Sequence, residues 1–501
     1  MEATRMLAVD FGASGGKCFS GVLQDGAFAM EEIHRFAHEG AAFFLPDRNG
    51  VIVERTYWDD TFLYQNILTG LREYRRRFGA ALDGIGIDTW GADGQFLSAD
   101  GDLLGKVYAY RDQRLDQMIA AVKARIAADR IYAITGIHFQ PFNLSNQLLW
   151  FMQNRREALR PGAFFLPIPS LFYYYLGGVR MVDSTWASVT QLMDAKTQKW
   201  SAEILKALDI PSGMLPSIVA PGTVVGTLTP AVAAAVGLDA SVRLLAVGSH
   251  DTASAYAAAP VDRTDEALII SSGTWSLVGK LVPSPITTPA AMAANLSNEG
   301  GIGNTRLLKN CMGSWLVQEL RRGWRNTDGR EMPWDELGVL TARAPAFQSL
   351  VDPDDPGFYH PANMQTAIAE FCVRTGQPPP PDRGAFVRTV YESLALTYRR
   401  AHEQIAAVSG NPCRVVHIVG GGSKNELLNQ FTADALGLAV VAGPVEATAV
   451  GNLMVQAQGL GALRTLHDAL PIIRKALKTT FIAALLKGRS NYLCTYRLKN
   501  A

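Results

Sequence analysis

The chain has 501 residues, with 47 Lys and Arg against 46 Asp and Glu, so its formal net charge is +1. This balance excludes the broad basic field that is typical of nucleic-acid-binding and membrane-surface proteins. A hydrophobic fraction of 48% with 46 glycines is typical of a well-packed α/β protein, and the length predicts two large domains or a few smaller ones.

The cysteines and the N-terminus predict a cytoplasmic location. The N-terminal segment carries a charge too early, and an apolar run too short, for a signal peptide. No apolar run approaches the roughly 18 residues of a membrane span. The cysteines are odd in number and never form a C-x-x-C pair, which predicts neither a zinc site nor a disulfide framework. They are Cys18, Cys311, Cys372, Cys413 and Cys494.

The first segment predicts a β-hairpin whose tip consists of small residues. A buried strand ends at Asp10, the tip Ala13, Ser14, Gly15, Gly16 and Lys17 follows, and a second strand covers residues 18–23. Backbone N–H groups at such a tip can bind phosphate, although the spacing matches neither a P-loop nor a dinucleotide fingerprint. An ordinary hairpin explains the same residues. Asp10 could hold a metal ion through water.

Two further elements precede the middle of the chain. Residues 56–78 have apolar side chains at helical spacing, which predicts a helix. Residues 84–88 predict a buried strand, and small and polar residues follow it at 89–94. Such a change of composition directly after a buried strand is typical of a binding site.

The stretch 244–256 predicts a buried strand followed directly by a helix. Asp251 lies at the turn between them, where α/β proteins often place catalytic groups. The alternative is a helix N-cap that satisfies backbone amides and does nothing more.

A second strand–turn–strand pattern, at 267–279, has the same form as the first hairpin. One such hairpin in each half predicts a duplicated architecture with a ligand cleft between two lobes and a boundary near residue 258. Residues 309–319 predict the start of a helix with Asn310 near its N-terminus. Residues 385–408 predict the clearest long helix of the chain.

A glycine triplet, 420–422, lies between a predicted strand at 415–419 and a predicted helix. Glycines there allow a phosphate or a flat group to approach the backbone beside the positive end of the helix. A tight turn is the alternative, and the two hairpins favour a nucleotide site.

These elements together resemble the FGGY carbohydrate kinases, within the actin-like ATPases, and most closely the branch that phosphorylates L-rhamnulose. The stretches that carry the resemblance run in order over about residues 7–460. They are VDFGASGGK (9–17), GIDTWGAD (86–93), YAYRDQR (108–114), SHDTASA (249–255), ISSGTWSLVG (270–279), NEGG (298–301), LKNCMGSWLVQ (308–318), VGGGSKNELLNQ (419–430) and AGPVEATAVGN (442–452).

The resemblance implies an α/β, two-lobed actin-like ATPase (ribonuclease H-like) fold with ATP and sugar in the interdomain cleft. Residues 1–258 would be the sugar-binding lobe with the catalytic base, 259–465 the nucleotide-binding lobe, and 466–501 an atypical tail. The implied reaction moves the γ-phosphoryl group of ATP to the carbon-1 hydroxyl of a ketose, normally L-rhamnulose, with Mg²⁺. Neither nucleic acid nor a membrane is expected as a partner.

The family motifs also imply roles for single residues. Asp251 would be the general base, and Gly91, His250, Thr252 and Asn310 would contact the sugar. Asp10 would lie beside Mg²⁺. The remaining ATP and phosphate contacts implied by the motifs are Ala13, Ser14, Gly15, Gly16, Lys17, Thr274, Gln318, Gly421 and Asn425.

The chain departs from the family pattern in three places: residues 92–95, residues 142–147 and the tail from about Ile473. The first two lie in the expected sugar-binding lobe, so L-fuculose or another deoxyketose remains an alternative substrate. An actin- or Hsp70-like ATPase switch is the alternative from another class, but it needs no sugar-facing base at 251. A nicotinamide dehydrogenase lacks support because no G-x-G-x-x-G run occurs between a strand and a helix.

Overall fold

A computed structural model describes residues 3–47, 49–359, 361–476 and 481–483. The chain divides into two units. The first combines Met1–Pro260 with Val282–Leu307 and Ala447–Lys478, and the second combines Val261–Leu281, Leu308–Glu446 and Thr479–Ala501. The chain therefore enters each unit more than once, and the domain ranges 1–258, 259–465 and 466–501 stay predictions.

The strands are numbered along the chain. They are β1 (Thr4–Gly12), β2 (Gly15–Gln24), β3 (Ala27–Ala37), β4 (Ala41–Pro46), β5 (Ile52–Trp58), β6 (Gly84–Thr89), β7 (Gly94–Leu97), β8 (Val107–Tyr108), β9 (Phe164–Pro167), β10 (Met181–Asp183), β11 (Met193–Asp194), β12 (Lys199–Trp200), β13 (Ser217–Val219), β14 (Val224–Thr227), β15 (Arg243–Leu245), β16 (Ala267–Ser272), β17 (Trp275–Val282), β18 (Ser297–Gly300), β19 (Thr305–Met312), β20 (Val415–Val419), β21 (Ala439–Ala442) and β22 (Phe481–Ala483).

The α-helices are numbered in the same way. They are α1 (Asp60–Phe78), α2 (Met118–Lys123), α3 (Ala128–Thr135), α4 (Leu144–Asn154), α5 (Ile168–Gly177), α6 (Ser184–Ser188), α7 (Ala202–Ala207), α8 (Pro230–Val236), α9 (Asp251–Ala257), α10 (Pro289–Ala293), α11 (Trp315–Asp328), α12 (Trp334–Arg343), α13 (Met364–Arg374), α14 (Arg383–Ser409), α15 (Glu426–Leu436), α16 (Ala447–Gly459) and α17 (Ala469–Ala476).

The first unit is built on a six-stranded sheet with the order β14-β15-β6-β1-β2-β3. The three strands β15, β6 and β1 run parallel, and β1, β2 and β3 form an antiparallel meander. All six residues of β6 are buried, as expected for a central strand covered on both faces. The carboxyl ends of the three parallel strands therefore meet at one edge of this sheet.

The second unit repeats this order of elements. Strands β16 and β17 form an antiparallel hairpin, β20 runs parallel to β16, and β21 runs parallel to β20. A hairpin followed by parallel strands thus occurs in each unit, in agreement with the predicted duplication.

The structure confirms the long predicted helix as α14 and corrects two predicted helix starts. Residues 56–58 belong to β5, and α1 begins at Asp60 because the carboxylate of Asp59 caps it by accepting from the N–H of Phe62 at 2.9 Å. Asn310 lies in β19 and not in a helix, and α11 begins only at Trp315. The intervening Gly313 donates its N–H to the carbonyl of Thr274, which keeps this segment on the sheet.

Two expectations concern the membrane and the tail. None of the helices within the described ranges has both the length and the apolar character required to cross a bilayer. The atypical tail contributes α17 and β22, whereas residues 477–480 and 484–501 lie outside the described residues.

Candidate active site

Three carboxylate residues lie at the ends of the parallel strands of the first unit. Asp10 near the end of β1 is the register partner of Asp88 near the end of β6. Beyond β15, the backbone of His250 forms a parallel bridge with Thr89, and Asp251 follows as the first residue of α9. The sheet register therefore brings the predicted metal residue and the predicted base to the same edge.

Asp88 is a buried member of this group that the sequence interpretation did not single out. Its Oδ2 accepts a hydrogen bond from Asn452 at 2.5 Å. Burial, followed by the neighbouring charge of Asp10, raises the pKa of Asp88 well above its usual range. Its position at the end of a fully buried strand was the available signal in the sequence.

Asp251 has the environment of a general base. Its Oδ1 accepts from the N–H of Thr252 at 2.5 Å and from the Thr252 hydroxyl at 3.1 Å. Desolvation and then the charge of Asp10 raise its pKa to about 7, although 32% of the side chain stays exposed. Such a carboxylate can accept a proton near neutral pH. The alternative role as a helix cap explains only the hydrogen bonds to Oδ1. It also fits poorly because the N-cap residue of α9 is His250, and Asp251 is the first residue within the helix.

Gly91 and His250, both predicted sugar contacts, lie against each other. A Cβ atom on Gly91 would be only 2.6 Å from Nε2 of the imidazole. Any larger residue at 91 would displace the ring, so the glycine makes room for the histidine. The same Nε2 lies 3.6 Å from Oδ1 of Asp251.

Two buried charged residues behind His250 were also missed by the sequence interpretation. The guanidinium of Arg306 and the carboxylate of Glu299 form an ion pair at 3.2 Å with almost no exposed side-chain surface. Glu299 belongs to the NEGG motif, which was a weak sequence signal, whereas Arg306 lies in a strand that also contains Lys309 and Asn310 and so was not marked. Burial and the Arg306 charge hold the pKa of His250 well below its ordinary value, which keeps the ring neutral.

The predicted phosphate-binding tip is tighter than the sequence implied. Lys17 and Gly16 pair with Asp10 and Phe11 within the hairpin, which leaves Ala13 and Ser14 as the turn between Gly12 and Gly15. A Cβ on Gly16 would collide with the ring of Phe36 on β3. His38, just after β3, donates from Nε2 to the carbonyl of Gly12 at 2.8 Å. The ring of Phe36 and the imidazole of His38 thus hold the tip of the hairpin in place.

The two departures from the family pattern within the first unit contact each other. Asp93, fully buried and at φ +77°, accepts hydrogen bonds from the indoles of Trp58 and Trp90 at 2.7 and 3.0 Å. Its other oxygen accepts from the amide of Gln147 at 3.1 Å. Burial raises the pKa of Asp93 to about 6 in spite of these donors. Asp93 therefore supports the indole of Trp90, which directly precedes Gly91.

In the second unit, the predicted ATP residues Thr274 and Gln318 meet at the tip of the β16–β17 hairpin. The hydroxyl of Thr274 donates to Oε1 of Gln318 at 3.4 Å. The side-chain amide of Gln318 donates to the hydroxyl of Ser314 at 3.2 Å, and that hydroxyl donates to the carbonyl of Gly273 at 2.6 Å.

The glycine triplet lies beside the end of the same hairpin. A Cβ on Gly422 would collide with the hydroxyl of Ser272, whereas no described atom lies within 4 Å of a Cβ on Gly421. The helix does not start at the triplet: residues 421–424 form a 3₁₀ turn, and Asn425 caps α15 by accepting from Leu428 at 3.1 Å. Asn425 thus has a local structural role, and Gly421 faces open space.

The donor set for a metal ion is sparse. Among the described residues, no three His, Cys, Asp or Glu side chains form a group that could hold a metal ion. Mg²⁺ commonly keeps several waters and binds through one or two carboxylates plus substrate phosphates, so Asp10 is compatible with such an ion.

Comparison with known proteins identifies the family. The model of the FGGY family of carbohydrate kinases matches with its N-terminal domain over residues 58–257 and its C-terminal domain over 268–460. The rhamnulokinase of Bacteroides thetaiotaomicron is 42% identical over 456 residues, which cover 91% of this chain and 90% of that protein. The rhamnulokinase of Pectobacterium carotovorum is 39% identical, with coverage of 93% and 90%. The crystal structure of a gluconate kinase from Lactobacillus acidophilus superposes with a TM-score of 0.78 at 16% identity, over 99% of this chain and 96% of that one.

The fold is therefore the two-domain actin-like ATPase fold, as predicted. The chain belongs to the FGGY family of carbohydrate kinases.

Proposed function

We propose that this protein transfers the γ-phosphoryl group of ATP to the carbon-1 hydroxyl of L-rhamnulose, giving L-rhamnulose 1-phosphate. The observation that carries the sugar identity is the 42% identity to a rhamnulokinase over nine-tenths of both chains. The carboxylate of Asp251, with its pKa near 7, supports the chemistry.

Asp251 is the proposed general base. Among the described residues, the hydrogen bonds to its carboxylate end on Oδ1, so Oδ2 is the oxygen that would accept the proton of the sugar hydroxyl. Removing that proton as the new bond forms converts a poor nucleophile into an alkoxide-like one.

Gly91, His250, Thr252 and Asn310 are the proposed sugar contacts. The close approach of Gly91 to the imidazole supports this assignment, because it places two of the proposed contacts side by side next to Asp251. Thr252 supports it by holding Asp251 through two hydrogen bonds.

The hairpin tips are the proposed phosphate contacts. Ala13, Ser14, Gly15, Gly16 and Lys17 would offer backbone donors and one cation, and Thr274, Gln318 and Gly421 would bind ATP in the second unit. Asn425 is the weakest candidate, because its side chain already caps α15. Mg²⁺, when bound near Asp10, would neutralise phosphate charge. The cleft between two lobes stays a prediction.

The test is ADP release with Mg-ATP against L-rhamnulose, L-fuculose, L-xylulose and L-ribulose. We expect the highest kcat/KM with L-rhamnulose and a product phosphorylated at carbon 1. A higher kcat/KM for L-fuculose would keep the kinase and replace the sugar. Stimulation by none of the four would overturn the proposal, and ketose-independent ATP hydrolysis would favour an ATPase switch.

A further inference from the structure

His250 is held from behind by the ion pair of Arg306 and Glu299. Nη2 of Arg306 lies 3.1 Å from Nδ1 of the imidazole, and Nε of Arg306 donates to the carbonyl of Gly300 at 2.9 Å. Glu299 Oε2 lies 3.2 Å from Nη1 of Arg306 and 3.4 Å from the same Nδ1. The carbonyl of Gly300 and the carboxylate of Glu299 therefore hold the guanidinium in the orientation in which it contacts the histidine.

The contact between Arg306 and Nδ1 determines the tautomer of the ring. A guanidinium can only donate hydrogen bonds, so Nδ1 must be the unprotonated, accepting nitrogen. In a neutral imidazole the proton then lies on Nε2. This is the nitrogen that lies beside Gly91 and 3.6 Å from Oδ1 of Asp251.

We propose that Arg306 is a positioning residue that fixes His250 as the Nε2–H tautomer, so that the ring presents a hydrogen-bond donor beside Asp251. This Nε2–H lies 3.6 Å from Oδ1 of Asp251, an electrostatic contact that is too long for a hydrogen bond, and it faces the place where a sugar oxygen would bind. The consequence for sugar binding rests on the proposed kinase function, whereas the tautomer itself does not.

Glu299 provides the competing arrangement. If Nδ1 carried the proton and donated to Glu299 over 3.4 Å, Nε2 would become an acceptor, and Nδ1–H would face the Arg306 donor at 3.1 Å. Two donors at that distance repel each other. The negative charge of Glu299 is already balanced by the guanidinium of Arg306, so the carboxylate does not require a proton donor from the histidine.

The tautomer can be measured in the unliganded full-length protein by ¹⁵N side-chain NMR at neutral pH. The chain has 8 histidines, and the signals lost in a His250→Gln variant identify those of His250. We expect a protonated Nε2 and an unprotonated Nδ1. A protonated Nδ1, or an imidazolium with two protons, would overturn the proposal.

Variants then separate the two charged residues. In Arg306→Met, Nδ1 loses its donor, so we expect the proton to move to Nδ1 and the KM for the ketose to rise about tenfold, with the KM for ATP within about twofold. In Glu299→Gln, Arg306 still donates and the Nε2–H tautomer should persist. Three results would each contradict the positioning role. Folded Arg306→Met could keep the Nε2–H tautomer, or Glu299→Gln could lose it. The ketose KM of Arg306→Met could also stay unchanged although its His250 proton had moved to Nδ1.

Arg388→Met is the matched control. Arg388 is a mostly buried arginine that pairs with Glu392 at 2.7 Å in the second unit, so the substitution removes a comparable ion pair. We expect it to lower the melting temperature without changing the His250 signals. Should Arg306→Met fail to fold, the wild-type spectrum and Glu299→Gln still decide the tautomer. Should no ketose stimulate ADP release, the proposed function fails, and the tautomer result is unaffected.

Discussion

Asn452 on α16 donates a hydrogen bond to Asp88 on β6 over 2.5 Å, although the two residues are 364 positions apart. One turn further along α16, Gln456 donates to Oδ1 of Asn452 at 2.7 Å and to the carbonyl of Leu7 on β1 at 3.0 Å. All three side chains are buried. This polar ladder joins a late segment of the chain to the two strands that carry Asp10 and Asp88.

Replacing Asn452 tests the ladder. Asn452→Ala leaves Oδ2 of Asp88 buried without its donor, so we expect a loss of about 1–3 kcal/mol in the free energy of unfolding. Denaturant titration measures it. Asn154→Ala is the control, because Asn154 is also on a helix but bonds only to the carbonyl of Trp150 at its end. Equal losses in the two variants would mean that the ladder adds nothing specific.

Replacing Asp251 tests the base. Asp251→Asn keeps the shape and the hydrogen bonds from Thr252 but removes the proton acceptor, so we expect kcat to fall roughly 10²- to 10⁴-fold while ATP binding is retained. Steady-state kinetics and calorimetric ATP titration measure the two effects. Asp194→Asn, at an exposed turn of the same unit, should keep kcat. Near-normal turnover of Asp251→Asn would reduce Asp251 to a capping residue.

The pH dependence follows from the pKa of about 7 for Asp251. Activity requires the ionised base, so kcat/KM should rise with pH through a step near that value. Stability should change in the opposite direction. Between its unfolded pKa of about 4 and its folded pKa, this group binds more protons in the folded state, so its contribution to stability falls as pH rises.

The same linkage predicts how Asp251→Asn melts. At pH about 4 the variant and the wild type should differ little, and at pH about 8 the variant should have the higher melting temperature, because it avoids burying the charge. Thermal melts over this range provide the measurement. If the difference in melting temperature between the variant and the wild type grew as the pH was lowered, the raised pKa would belong to another group.

The contact of Gly91 with His250 predicts the effect of one methyl group. In Gly91→Ala the Cβ would lie 2.6 Å from Nε2, so the ring must move, and we expect the ketose KM to rise about tenfold with little change in the KM for ATP. Gly213→Ala is the control, since no described atom lies within 4 Å of that Cβ. A Gly91→Ala enzyme with unchanged ketose KM would place the sugar elsewhere.

Gly421 allows a test of the nucleotide site that does not disturb the fold. Its Cβ would meet no described atom within 4 Å, so Gly421→Ala should keep the melting temperature. A bound nucleotide would meet the new methyl group, and we expect the KM for ATP to rise several-fold, with Gly338→Ala on α12 as the unaffected control. An unchanged KM for ATP would remove Gly421 from the nucleotide site.

The local features of the chain were readable from the sequence. The strands that lead to Asp10 and Asp251, both hairpins and helix α14 follow from apolar periodicity and from glycine and polar residues at turns. These features depend on near neighbours along the chain. The family motifs are likewise contiguous stretches. Two predicted helix starts were wrong, because a single cap such as Asp59, or the strand position of Asn310, decides where a helix begins.

The buried contacts that hold His250 and Asp88 in place were decided only by the tertiary structure. Arg306 reaches His250 across 56 positions, and Asn452 reaches Asp88 across 364. Neither pair has a spacing or a periodicity that marks it in the sequence. Asn452 meets Asp88 because helix α16 packs against β1 and β6, and Arg306 on β19 meets the residue that directly precedes α9. Burial at both places makes every charge and polar atom require a partner.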